Sequence, residues 1–265
     1  MIDFHTHAFP DTVATKAIPT LEKQGNITAH TTGTVESLLE SMDKAGIEQS
    51  VICSIATRPE QFESILQWSH SIRSSRIIPL PSIHPRDPDC IQHVYRIKEE
   101  GFAGIKMHPY YQDYFLAEEK LAAFYTAINE CELLLVAHCG YDIGFPRTRC
   151  ADPAQILKLV TDFPGLRFVA THFGGWKLWD EVEEVLIGKE IFMEISFALK
   201  YLSKQQIQRM LQNHPQEYLL FGSDSPWDDQ SACLQALSDL SLDPELFSAI
   251  TGENAQKLLW TISQT

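Results

Sequence analysis

The first segment able to grip an ion is His5-Thr6-His7, directly after Met1-Ile2-Asp3-Phe4. In an extended strand alternate side chains share a face, so both imidazoles point the same way and can hold one cation between them. Three further groups of the right type follow short apolar runs: His138 after Leu133-Leu134-Leu135-Val136, His172 after Phe168-Val169-Ala170, and Asp224 after Leu219-Leu220-Phe221-Gly222. Neutral imidazoles with a carboxylate make a nitrogen and oxygen site that suits Zn²⁺, and a coordination position left open to water distinguishes a catalytic site from a structural one. Spread along the whole chain, these groups meet only if the chain closes on itself.

The elements that must position them are short apolar runs suited to buried parallel strands, near 2–6, 50–55, 76–83, 103–107, 133–138, 167–172, 191–196 and 218–223. Between them lie helical stripes with apolar residues at three- and four-residue spacing: Val35, Leu38, Leu39 and Met42; Phe62, Ile65, Leu66 and Ile72; Leu121, Phe124, Tyr125 and Ile128. Gly46 and Gly101 suit C-caps, Ser203 with Gln206 reads as a capping box, and Asp243-Pro244 suits the start of a late helix. Eight alternations predict an α/β fold, a (β/α)8 TIM barrel forming a single domain over 1–265, with every strand's C-terminal end on one face. A doubly wound open sheet is the competitor, but its single switch point does not easily collect groups from the first, fifth, sixth and eighth strands.

Composition narrows the partners. With 21 Lys and Arg against 35 Asp and Glu, the formal net charge of -14 argues against nucleic acid or an anionic membrane surface. No apolar run approaches the ~20 residues of a membrane span, and no signal peptide is visible after Met1, so a cytoplasmic protein acting on a small molecule is expected. The six cysteines include no Cys-x-x-Cys pair and read as plain thiols; Cys139, next to His138, should face the other way.

Taken together, His5-Thr6-His7, Gly104-Ile105-Lys106-Met107-His108-Pro109, Thr171-His172-Phe173-Gly174-Gly175, Gly222-Ser223-Asp224-Ser225-Pro226-Trp227 and Gly252-Glu253-Asn254-Ala255-Gln256-Lys257-Leu258-Leu259 resemble the amidohydrolase superfamily, and most closely its amidohydrolase-2 branch. The resemblance covers essentially the whole chain. It implies a distorted barrel with one divalent metal, zinc or sometimes manganese, held by His5, His7, His138 and Asp224. It also implies a metal-dependent hydrolase that uses a metal-activated water to cleave a C–N or C–O bond of a cyclic amide, lactone or ester. Asp224 is the expected general base, since one carboxylate oxygen can face the metal while the other takes a proton. His172 is expected to be catalytic, with metal ligation left open. Lys106 stands where some two-metal relatives carry a carbamylated lysine, and it could equally remain a cation that holds a substrate carboxylate or Asp224. Family members are often dimers, so a homodimer is expected.

His108 shares a strand face with Lys106 and is a candidate pocket residue, as is Trp176 after the sixth strand. Among the loop arginines Arg58, Arg86, Arg147 and Arg149, Arg147 in Phe145-Pro146-Arg147-Thr148-Arg149 is the candidate for holding a substrate carboxylate. The alternative activity is a metal-dependent decarboxylase or hydratase of an aromatic or unsaturated acid, which arginines inside the pocket would favour. A deoxyribonuclease of the TatD type ranks lower, because the acidic residue expected after the fourth strand is not seen and the net charge is wrong for DNA. A non-catalytic binding protein also ranks lower, because the ligand set is intact.

Overall fold

The computed structural model describes residues 1–263, with side chains through residue 259, so the last two residues of the expected domain lie outside the described ones. Eight strands alternate with helices: β1 Ile2–Thr6, β2 Gln49–Cys53, β3 Ile77–Leu80, β4 Gly104–Met107, β5 Leu134–Ala137, β6 Arg167–Ala170, β7 Phe192–Glu194 and β8 Leu219–Leu220. All pairings are parallel, in two arcs, β1-β2-β3 and β4-β5-β6-β7-β8. The arcs meet at two thin seams rather than through full ladders. Lys106 N–H donates to Pro81 O at 2.9 Å across one, and Phe4 N–H to Phe221 O at 2.8 Å and His7 N–H to Ser225 O at 2.6 Å across the other.

Alternation sorts each strand's side chains into two packed layers. Phe4, Val51, Cys53, Leu80, Leu134, Val136, Val169 and Leu220 fill the interior, together with Ala255, Leu258 and Leu259 of the helix Asn254–Ser263. Ile52, Ile105, Leu135, Phe168, Met193 and Phe221 face outward and pack against the helices. Cys139 belongs to this outer layer, as its neighbour's inward position requires.

Helix ends follow their local chemistry. Gly46 and Gly101, at φ +69° each, occupy the left-handed conformation past the helices Val35–Ala45 and Cys90–Glu99. The Asp243 side chain caps the helix Pro244–Ser248. The expected capping box at Ser203 is only half formed: Ser203 accepts from the Gln206 N–H, but the Gln206 side chain donates to Asp180 at 2.8 Å instead. A helix over Asp11–Gly25, with Pro19 inside it, was not expected; only Ala14 and Ile18 of it are buried, too sparse a stripe to read.

Strand β1 also departs from strict alternation. Its pairing with β2 slips between Asp3 and Thr6, so Phe4 and His5 both face inward while Asp3 faces the outer layer. The face that His5 and His7 share is therefore turned inward by this irregularity.

Candidate metal centre

Every chemically suggestive residue of the sequence except Arg147 lies at the C-terminal end of the barrel and lines one chamber of about 170 Å³: His5, His7, Lys106, His108, His138, His172, Trp176 and Asp224. That is the end at which parallel barrels expose loop and strand-end groups. Asp142, Phe197 and Trp227 also line the chamber and were not singled out as site residues by the sequence.

Three of the four expected ligands bear on one point. His5 Nε2 lies 3.2 Å from His7 Nε2, and Asp224 Oδ1 is 3.3 Å from the first and 3.0 Å from the second. Their outer atoms decide where the protons are. His7 Nδ1–H donates to Cys53 O at 2.8 Å, because a carbonyl can only accept, and His5 Nδ1–H donates to Glu194 Oε1 at 2.8 Å. Neither Nε2 atom then carries a proton; His5 Nε2 accepts from Lys106 Nζ at 2.9 Å, and Asp224 Oδ1 is buried with no hydrogen-bond partner. Three acceptors crowd one point with the Lys106 ammonium donating to only one of them, and two nitrogens with a carboxylate oxygen are the donor set of a divalent metal, so these residues fit one.

The fourth, His138, does not reach that point. Its Nε2–H donates to Tyr141 O at 3.0 Å, and its Nδ1 faces His172 Nε2 at 3.0 Å. Ser196 Oγ–H donates to Glu194 Oε1 at 2.8 Å, so His172 Nδ1–H donates to Ser196 Oγ at 2.8 Å and leaves His172 Nε2 bare. A second pair of lone pairs thus faces the same chamber. The buried Lys106 Nζ donates to His5 Nε2 at 2.9 Å. His108 stacks on His138 with ring centroids 4.2 Å apart, its Nε2 is 3.4 Å from Asp142 Oδ2, and its Nδ1 is buried without a partner.

Burial keeps the imidazoles of the chamber unprotonated. Burial, with Lys106 and the neighbouring histidines adding repulsion, holds His5 well below its ordinary value, and burial with His138 and Lys106 does the same for His172. Burial and His108 bring His138 down to about 3. Burial pushes Glu194 up to about 7 against its four hydrogen bonds. Asp142 goes down to about 2, because the His108 hydrogen bond and the His138 and His108 charges outweigh the opposite effect of burial.

Two functional-looking residues lie in left-handed backbone, His172 at φ +57° and Asp224 at φ +64°, a costly conformation for non-glycine residues that a surrounding structure must hold in place. Asp224 N–H does so by donating to His5 O at 2.7 Å. Arginines stand apart. Arg86 pairs with Asp113, Arg149 with Asp152 and Glu181, and Arg147 lies over the Tyr141 ring at 5.3 Å in an adjoining outer cavity. Sequence reading missed Glu194, although a lone carboxylate closing the run Ile191-Phe192-Met193 occupies the same strand-end position as the chosen ligands.

Comparison with known proteins agrees with this architecture. A family model described as amidohydrolase matches residues 2–260. No curated protein sequence gives a significant match. Similar solved structures include an uncharacterized TIM-barrel protein from Bordetella bronchiseptica, 17% identical with a TM-score of 0.79 over 100% of both chains. A 2,6-dihydroxybenzoate decarboxylase from Rhizobium is 13% identical, with a TM-score of 0.72 over 98% of each chain. A 5-carboxyvanillate decarboxylase from Novosphingobium aromaticivorans, complexed with manganese, is 13% identical, with a TM-score of 0.70 over 98% of this chain and 95% of that one. At such identities the likeness carries the (β/α)8 fold and no more. With the family model spanning nearly its full length, this chain belongs to the amidohydrolase superfamily, in the amidohydrolase-2 branch, a metal-dependent family.

Proposed function

We propose that this protein is a metal-dependent hydrolase that opens a C–N or C–O bond in a small cyclic amide, lactone or ester. The observation that carries the reading is the meeting of His5 Nε2, His7 Nε2 and the unpartnered Asp224 Oδ1 in a chamber that also holds His172. His5, His7 and Asp224 would hold a single ion, Zn²⁺ or Mn²⁺, with His138 as the family's fourth donor. When bound, the ion supplies Lewis-acid polarisation of a carbonyl and a more acidic water.

The remaining chemistry belongs to the chain. Asp224, with Oδ1 turned to the ion, takes the proton of the attacking water on its other carboxylate oxygen. His172, with Nδ1–H committed to Ser196, offers Nε2 to the chamber; it accepts a proton there and delivers it to the departing nitrogen or oxygen. Lys106 places a buried ammonium where negative charge develops on the substrate oxygen. His108 and Trp176 form part of the chamber wall, and Arg147 contacts only a substrate long enough to reach the outer cavity.

Decarboxylation or hydration of an aromatic or unsaturated acid is the second reading. Flat walls from Tyr111, Trp176, Phe197 and Trp227 and the Lys106 cation suit such a substrate, and two of the similar folds are named as decarboxylases of aromatic acids. Hydrolysis ranks first because, among the described residues, no arginine lines the inner chamber. A panel of lactones, cyclic amides and aromatic acids incubated with the metal-loaded protein separates the two. Ring opening with proton release is expected, whereas carbon dioxide release from the acids alone would replace hydrolysis with decarboxylation.

A further inference from the structure

We propose that Glu194 is a positioning residue that fixes the imidazoles of His5 and His172 together, so that ion binding and proton handling depend on one buried carboxylate. The inference rests on the metal-centre reading above and adds a residue that lies outside the chamber and touches no substrate.

Glu194 closes β7 and is fully buried. Its Oε1 accepts three hydrogen bonds of 2.8 Å, from His5 Nδ1–H, the His172 backbone N–H and the Ser196 hydroxyl, and its Oε2 accepts the Ser196 N–H at 2.8 Å. Among the described residues, no lysine or arginine forms an ion pair with it. Its backbone carbonyl also accepts from Phe173 N–H at 2.6 Å. His172 and Phe173 are consecutive left-handed residues, at φ +57° and +53°, and Glu194 pins both of them, one through its side chain and the other through its main chain.

Two consequences follow for the rings. An anionic acceptor behind His5 holds the proton on Nδ1, keeps Nε2 bare toward the ion and makes it a better donor. Through Ser196 the same oxygen sets the tautomer of His172. The next strand makes room for this arrangement: a Cβ at Gly222 would lie 2.3 Å from Glu194 Oε2 and 3.0 Å from His5 Cβ, so only glycine lets the carboxylate sit there.

The test combines nitrogen-15 NMR of the histidine rings in the chelator-stripped protein with chelator competition for added Zn²⁺, on wild type, Glu194→Gln and Ser196→Ala. A glutamine removes the carboxylate charge and sets its NH₂ either against Ser196 N–H or against His5, His172 and Ser196 Oγ; His5 Nδ1–H is held less firmly in both cases, so His5 is expected to shift toward the Nε2–H form and Zn²⁺ to bind roughly 10–100-fold more weakly. Ser196→Ala should shift only His172, leaving Zn²⁺ affinity within about threefold, since the His5 contact is untouched. A purely structural Glu194 would lower thermal stability in Glu194→Gln while leaving both tautomers and the affinity as they were, and that result would overturn the proposal. Should Glu194→Gln not fold, an unchanged His172 tautomer in Ser196→Ala would overturn it equally. If wild type binds no Zn²⁺, the metal-centre reading fails, and the tautomer shifts still decide whether Glu194 positions the rings.

Discussion

Asp3 and Asp224 are both buried carboxylates within reach of His5, and they differ in how they are satisfied. Asp3 faces the outer layer and is saturated. Its Oδ1 accepts from His5 N–H at 3.2 Å and Ser223 N–H at 3.0 Å, and its Oδ2 from the Ser223 hydroxyl at 2.5 Å and the Gln230 amide at 2.8 Å. Asp224 faces the chamber, and its Oδ1 has two unprotonated imidazole nitrogens for neighbours and no donor. A buried carboxylate with every lone pair used holds architecture together, here the seam between β1 and β8. One left with an orphan oxygen among other acceptors is arranged for something that is not part of the chain.

Exchanging each carboxylate for its amide is the sharpest way to break this contrast. Asp224→Asn should lower turnover of the metal-loaded enzyme by about 10²–10⁴-fold with little change in thermal stability, because Oδ1 has no donor to lose. Asp3→Asn should do the reverse. Its new NH₂ must face at least one existing donor, so urea unfolding should show a loss of about 1–3 kcal/mol while turnover per folded molecule is retained. Near-normal activity in Asp224→Asn would show that another group is the base.

The pH dependence of stability sharpens the comparison further, because the chamber and the seam respond in opposite directions. In the chelator-stripped protein His5, His108, His138 and His172 all titrate below their ordinary 6.5, with His138 near 3. The folded form then binds fewer protons than the unfolded one, so their contribution is complete above 6.5 and is lost as pH falls toward 3. Asp3, raised from 3.8 to about 6, and Glu194, raised from 4.5 to about 7, contribute stability present below those ordinary values and lost as pH rises through 6 and 7. Four histidines outnumber two carboxylates, so the urea midpoint should fall between about pH 6.5 and pH 4. Asp3→Asn should remove part of the opposing slope. A midpoint that rises on acidification over that range would contradict the assignment of neutral buried rings.

A smaller effect is expected at Lys106. Its ammonium, 2.9 Å from His5 Nε2, occupies space that a cation would claim. Lys106→Met should therefore keep or slightly tighten Zn²⁺ binding in a chelator competition while slowing turnover. Loss of the metal would instead place Lys106 among the ligands of a two-ion centre.

Much of this arrangement is legible in the sequence because parallel strands buried on both sides are continuous apolar runs, and a polar residue ending such a run stands out. All eight strands were readable in that way, down to the two residues of β8. His5, His7, His172 and Asp224 stand out in the sequence because their side chains have few other reasons to follow buried strands, and the structure brings them to one chamber. What the sequence hides is set by backbone detail. The slip in β1 that turns His5 inward, the Tyr141 carbonyl that engages His138 Nε2, and the positive φ at His172 and Asp224 leave no periodic trace. Glu194 went unread because a carboxylate at a strand end looks like an ordinary boundary; its role depends on Ser196, His5 and the His172 N–H arriving from three places. Asp142 sits in a loop, where spacing carries no orientation.

We propose that the unprotonated nitrogens of His5 and His7 and the orphan oxygen of Asp224 form one cation site. Calorimetric titration of Zn²⁺, and separately Mn²⁺, into the chelator-stripped protein tests it most directly, with His5→Ala in parallel. One equivalent bound by wild type, with binding lost in His5→Ala, is the predicted result. Absence of binding by a folded wild-type protein, or equal binding by His5→Ala, would contradict it.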